Sequence, residues 1–336
     1  MGKLTCRHGL RAVTILVALS TVAGWFSLRP GRASDDRAIL ERLLPAPKNG
    51  GFRMDGYYIW CGSVIRVGES YHLFASRWPE STGFPEGYRS HSEIVRAISD
   101  RPEGPYEFQE VVVNGRGGDW WDGKMCHNPK IVKLRDGYLL YYIGSAQGSP
   151  LRKVGYATAP AITGPWKRIE QPLPLGDDAN NPAPYIRPDG SVLLLYRDRT
   201  LRMYVAEAPS YAGPYRIVAS DIFPGIRLED PDLYFQDGLY HMVLEDNEGR
   251  LTGDVRHGAH LISKDGVRWD PATPIKVYTH TIMWDDGTST LCTRRERPEL
   301  FNARASIKGN GAPTHLITGV FAGGQAWCVV QPIEQR

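Results

Sequence analysis

The 336-residue chain lacks most of the features that name a function outright. It has no excess of charge, since 40 Lys and Arg face 37 Asp and Glu, so nothing marks a nucleic-acid binder. No Gly-x-Ser-x-Gly, no Walker loop and no His-Glu-x-x-His is present. Gly115-Arg116-Gly117-Gly118 has no helical pattern after it, which excludes a dinucleotide loop. The five cysteines are Cys6, Cys61, Cys126, Cys292 and Cys328. Their wide separation rules out a zinc knuckle or a Cys-x-x-Cys pair. The four beyond the leader are expected chiefly as buried free thiols, although three disulfide pairings are open to them. Helical periodicity is confined to Asp36–Leu44 (DRAILERLL), expected as a short helical segment outside the main fold. No apolar run of spanning length follows residue 33.

The first 33 residues differ from the rest. They hold Lys3, Arg7, Arg11, Arg29 and Arg32 with no acid, then an apolar run from Ala12 to Leu28 and the small-residue end Gly31-Arg32-Ala33. This is the pattern of a signal peptide or an N-terminal anchor. The expected location is therefore secreted or periplasmic, or tethered to a membrane. Residues 34–336 are expected to form one domain.

Glycine (36) and proline (25) are plentiful, and they punctuate a repeat. A tight turn between alternating apolar strands occurs at Gly68-Glu69, Asp136-Gly137, Asp189-Gly190, Asp237-Gly238 and Asp286-Gly287. The last four are spaced by 53, 48 and 49 residues. A second marker, Gly-Pro-aromatic, follows at Gly104-Pro105-Tyr106, Gly164-Pro165-Trp166 and Gly213-Pro214-Tyr215, and becomes SKDGVRWD around Gly266 in the fourth copy. A unit of hairpin, third strand, turn and fourth strand, repeated five times, predicts an all-β five-bladed β-propeller. A β-sandwich accounts less well for the spacing. The tail from Arg297 is expected to complete the last blade or close the ring. The first-repeat insertion from Arg77 to His91 is expected to wall one side of the central mouth.

Polar residues just before each inner strand are the site candidates. They are Asp55 and Trp60-Cys61, His127-Asn128-Pro129, Asn180-Asn181-Pro182, Glu229-Asp230-Pro231 and His280-Thr281. Varied polar groups in one ring fit a polyhydroxylated ligand. Glycoside cleavage requires a proton donor and a base or nucleophile on opposite sides of the bond. Glu229, flanked by Asp230 and Asp232, is the expected acid, because neighbouring negative charge raises a carboxyl pKa. Asp55 and Asp122 are the rival bases. His127, Asn128, Asn181, Asp230 and His280 are expected to bind sugar hydroxyls, with Trp60 and Trp121 as aromatic platforms. No cofactor is expected; a structural or axial metal ion is left open, with His127 and His280 as candidate ligands. The charged cluster Arg294-Arg295-Glu296-Arg297 is expected to clamp the ring through Arg295 and Glu296, with Arg297 left open.

With these residues in place, the chain resembles the five-bladed propeller glycosidases: the arabinanase/xylosidase/arabinofuranosidase group, the anhydro-galactosidase group and, more distantly, the invertase/levansucrase group. Glu229-Asp230-Pro231-Asp232 is similar to the segment that carries their general acid, and KIVKLRDGYLLYYIGS to their blade openings. The resemblance implies hydrolysis of plant- or algal-type saccharides. It also exposes departures. Cys61-Gly62 stands where those enzymes place an Asp, and Asn128-Pro129 and Asn181-Pro182 stand where a third carboxylate is usual. A non-catalytic carbohydrate-binding propeller is the alternative reading.

Overall fold

The computed structural model describes residues 1–2, 37–304 and 311–335. The expected signal peptide or anchor lies outside the described residues. No helix among the described residues is long and apolar enough to cross a membrane.

Five blades follow one another along the chain, as the repeat predicts. Blade one is β1 (Tyr57–Val67), β2 (Ser70–Pro79), β3 (Glu93–Ser99) and β4 (Glu107–Val113). Blade two is β5 (Met125–Leu134), β6 (Gly137–Ser145), β7 (Lys153–Ala159) and β8 (Lys167–Arg168). Blade three is β9 (Asn180–Ile186), β10 (Val192–Arg197), β11 (Met203–Ala208) and β12 (Arg216–Ser220). Blade four is β13 (Leu228–Gln236), β14 (Leu239–Asp246), β15 (His257–Ser263) and β16 (Asp270–Lys276). Every neighbouring pair is antiparallel. The apolar faces pack between blades, so side chains such as Leu193 and Leu195 of β10 meet Met242 and Leu244 of β14 in one core cluster.

Blade five begins later than the turn spacing predicts. Asp286-Gly287 belongs to a separate two-stranded hairpin, β17 (Thr281–Met283) and β18 (Ser289–Leu291). The blade itself is β19 (Arg294–Phe301), β20 (His315–Ala322) and β21 (Gln325–Pro332). Its outer edge is paired by the segment that precedes blade one, through isolated bridges rather than a fourth strand. Phe52 and Cys328 exchange backbone hydrogen bonds of 2.9 and 3.1 Å, and Leu44 N–H donates to Pro332 at 2.9 Å. Gly51 makes this closure feasible: its φ is 72°, and a Cβ there would lie 2.1 Å from the Cys328 carbonyl oxygen. The expected helix over residues 36–44 is a single turn, α1 (Ile39–Arg42). Leu43 leaves it in extended conformation to bridge Ile333, and Pro45 follows.

Candidate active site

Each innermost strand carries a bulge at the same place. The pairing register shifts at Trp60/Ser63, His127/Lys130, Glu229/Asp232 and Glu296/Glu299, and in β9 opposite Leu195/Arg197. The bulged residues are Cys61, Asn128, Asn181, Asp230 and Arg297, and all five have positive φ, between 52° and 60°. Asn and Asp tolerate this left-handed conformation, whereas Cys and Arg adopt it under more strain. A proline follows the bulged residue in blades two to five and Gly62 follows it in blade one.

The bulge turns these five side chains toward one another. The Cys61 thiol donates to Asn128 Oδ1 at 3.0 Å. Asn128 Nδ2 donates to Asn181 Oδ1 at 2.9 Å. Asn181 Nδ2 donates to Asp230 Oδ1, which also takes the Arg297 guanidinium. The Arg297 charge in turn acts on the Cys61 thiol. The result is a buried polar ring with one member from each blade. Below it, Lys130 Nζ lies 2.9 Å from both Asp232 and Glu299. Those carboxylates also accept the backbone N–H groups of Leu300 and Val64, at 2.9 and 3.1 Å. These two tiers tie the blades together at the axis.

Above the ring is a pocket of about 280 Å³. The residue immediately before each bulge lines it: Trp60, His127, Asn180, Glu229 and Glu296. The insertion Arg77–His91 does form one wall, through Phe84, Pro85, Glu86, Tyr88 and Arg89. Tyr88 lies in α2 (Tyr88–His91), and Phe84 is held by stacking on Phe321, with centroids 4.1 Å apart. A larger groove of about 510 Å³ lies along Pro271–Lys276 on the rim of blade four, but it holds no converging carboxylates.

Two carboxylates in this pocket have contrasting surroundings. Glu229, with 18% of its side chain exposed, is paired with Arg197 at 2.6 Å. Glu296 is 9% exposed and receives Arg256 at 2.9 Å and Arg294 at 3.4 Å. Burial, and then the charge of Asp230, push the Glu296 carboxyl up to about 7. Behind it, fully buried Glu245 shares Arg256, 2.8 Å away, and its other oxygen has no hydrogen-bond partner among the described residues. Burial and the nearby Glu296 charge hold Glu245 well above the usual carboxylate range. Asp230, Glu245 and Glu296 each offer an oxygen within 4.8 Å of the others. Arg256 and Arg297 already supply the counter-charge there, so the set suits shared protons better than a divalent cation.

The structure sorts the expected site residues. Glu229, His127, Asn128, Asn181, Asp230 and Trp60 meet at the pocket. Asn128, Asn181 and Asp230 are its floor, engaged with one another. His127 is buried between Ser92, 2.7 Å from Nδ1, and the Cys61 sulfur, 3.6 Å from Nε2, and stacks on Tyr88. Burial keeps His127 neutral, with its pKa well below the usual value.

The expected bases do not reach the pocket. Asp55 sits exposed in the turn before β1. Asp122 is wholly buried in ion pairs with Arg116 at 2.5 Å and Arg168 at 3.5 Å, and accepts the Tyr142 hydroxyl. Trp121 packs against Tyr142 and over Gly144 and Gly155, where a Cβ would lie 2.9 and 2.3 Å from its ring, so it is core rather than platform. His280 lies outside the lining residues, with Nε2 3.2 Å from the Arg256 carbonyl. The fifth blade's place in the ring belongs to Arg297, and its place in the pocket to Glu296. The signal that could have found them is the bulge itself: Arg297-Pro298 matches Asn128-Pro129, Asn181-Pro182 and Asp230-Pro231.

No family model matches the chain, and no curated protein matches it in sequence. Solved structures match its fold. A family 117 glycoside hydrolase of the marine bacterium Zobellia galactanivorans superposes with TM-score 0.63 at 15% identity, covering 86% of this chain and 88% of its own. The catalytic domain of a family 62 α-L-arabinofuranosidase of Coprinopsis cinerea gives 0.63 at 15%, covering 88% and 98%. An α-L-arabinofuranosidase of Podospora anserina, solved with cellotriose, gives 0.61 at 16%, covering 89% and 99%. The chain therefore has the fold of the five-bladed propeller glycoside hydrolases.

Proposed function

We propose that the protein is a glycoside hydrolase that acts on plant- or algal-type saccharides outside the cytoplasm. The observation that carries this reading is the pairing of Glu229 and Glu296 in one pocket, in unlike environments. Glu296, with its carboxyl near 7, is protonated in about half of the molecules at neutral pH and is the general acid. Glu229, an ion pair with Arg197, is the base or nucleophile. The acid thus moves from Glu229, its expected place, to the neighbouring blade. Trp60, Phe84 and Tyr88 give the pocket aromatic surface beside these polar groups, the combination that sugars require. The extracytoplasmic address rests on the basic and apolar leader alone.

The test is hydrolysis of aryl glycosides and plant and algal oligosaccharides by Glu296→Gln and Glu229→Gln. Loss of a general acid costs about 100- to 10,000-fold. The Glu296→Gln loss is expected on oligosaccharides and is expected to be much smaller on aryl glycosides whose leaving group needs no proton. Glu229→Gln is expected to lose both. The opposite pattern would return the acid to Glu229. A second reading, sugar binding without catalysis, is favoured by Cys61 in the blade-one ring position. It predicts saturable binding with no turnover by the wild type.

A further inference from the structure

Four arginines and four carboxylates line the central pocket, and three of the possible pairs are closed. Arg197 meets Glu229 at 2.6 Å, Arg89 meets Glu86 at 2.8 Å, and Arg297 meets Asp230. The fourth pair is open. Glu296 accepts a hydrogen bond of 2.9 Å from Arg256, which lies behind the pocket wall, whereas Arg294 Nη1 stands off at 3.4 Å. Arg294 makes no hydrogen bond among the described residues.

The charges that face Glu296 leave this cation over. They are Asp230 and Glu229 on β13, Glu245 on β14, Arg256 just before β15, and Arg294 on its own strand. Arg297 and Arg197 neutralise Asp230 and Glu229. Tyr278 and Cys61 are near, and burial holds both neutral. Glu245, well above the usual carboxylate range, is protonated at neutral pH, so Arg256 has Glu296 as its counter-ion. Whenever Glu296 takes up its proton, Arg294 is left without a counter-charge.

Arg294 is also within reach of a ligand. Its side chain is 35% exposed and lines the pocket, and its guanidinium lies 5.9 Å from the ring of Phe84 on the pocket wall. A guanidinium presents a planar fork of donors that matches the oxygens of a carboxylate or a sulfate. A sugar ring packed against Phe84 would carry such a group to it.

We propose that Arg294 receives an anionic substituent of the saccharide, a uronate carboxylate or a sulfate ester, so that the substrate is an acidic glycan. The proposal rests on the hydrolase reading for the saccharide nature of the ligand. An anion at Arg294 adds negative charge beside Glu296 and favours its protonated form, so anion and proton support one another's binding.

The test is calorimetric titration of the full chain with galactose, galacturonic acid and galactose 6-sulfate, none of which carries a glycosidic bond to cleave. At least one of the two anionic sugars is expected to bind about tenfold or more tighter than galactose at low salt, with the gap narrowing as salt rises. The one that does so identifies the group. Arg294→Met is expected to close most of the gap and Arg294→Lys to keep part of it, with melting curves to check folding. Binding of the anionic sugar at pH 7 is expected to take up at most about half a proton, read from buffers of different ionisation enthalpy. Glu296→Gln is expected to abolish that uptake. Equal affinity for the three sugars, a preference for galactose, no binding at all, a gap that Arg294→Met leaves intact, or anion binding without proton uptake overturns the proposal. Turnover of oligosaccharides is measured separately. Its absence beside an intact anion preference would overturn the hydrolase reading and leave the anion site standing; turnover without the preference would do the reverse.

Discussion

Arg294→Met should move the alkaline limb of the activity profile upward. Arg294 Nη1 lies 3.4 Å from Glu296, and its charge favours the ionised carboxylate. Removing it favours the protonated acid. Two unit charges at that separation interact by roughly 1.2 kcal/mol in bulk water and roughly 5 kcal/mol at an effective dielectric of 20. The Arg294 side chain is 35% exposed, so the aqueous end applies. That corresponds to a rise of about 1 pH unit. Wild-type kcat/KM should fall as pH rises through about 7, where Glu296 loses its proton. In the variant the fall should be centred about one unit higher. The assay is kcat/KM across pH 5 to 9 on an oligosaccharide whose leaving group requires protonation. A limb that stays in place, or moves down, would show that Glu296 does not set it and would refute the acid assignment.

Stability should report the same carboxyl. Its folded pKa lies above the ordinary glutamate value, so its contribution is complete below about 4.5 and is lost as pH rises through about 7. The melting-temperature difference between wild type and Glu296→Gln should therefore shift against the wild type across that window, by the equivalent of at most about 3 kcal/mol; a pH-independent difference argues against the raised value. Lys130→Met leaves Asp232 and Glu299 buried without their cation, and should cost about 3–5 kcal/mol by denaturant midpoint. A loss below about 1 kcal/mol would mean the axial triad contributes little. Cys61, Cys126, Cys292 and Cys328 are free and buried, and burial raises the Cys61 thiol to about 12. They should resist a thiol reagent in the native state, and rapid labelling of Cys61 would contradict a closed ring.

Much of this was legible in the sequence, because turn chemistry is local. Asp136-Gly137, Asp189-Gly190 and Asp237-Gly238 each open an inner hairpin, and each blade follows from them. Blade five escaped the same logic. Its inner strands β19 and β20 are joined by residues 302–314 rather than a tight turn, while Asp286-Gly287 supplies the expected signal in an accessory hairpin. Turn spacing alone therefore leads the ring through His280, whereas the bulge places Arg297 in it. Asp122 resisted reading for another reason: it is wholly buried with Arg116, close in sequence, and Arg168, distant in sequence, and a linear pattern does not show that these charges meet it. Glu296 was visible only as one member of a charged run. Its raised pKa arises from burial and from Asp230 on another blade, neither of which a local pattern records.

The backbone bridges that close blade five also set a timetable. Gln331 donates to the Leu44 carbonyl across 287 residues, so the two edges of the closure emerge from the ribosome at very different moments. At about 5–20 residues per second the interval is roughly 15 to 60 s. Through that time the nascent chain is an arc with blade one's flank uncovered, a species for chaperones to shield. β21 (Gln325–Pro332) acts as a latch on a ring whose other blades can already have formed. Deleting residues 43–52 should leave the latch without its catch, and the arc open.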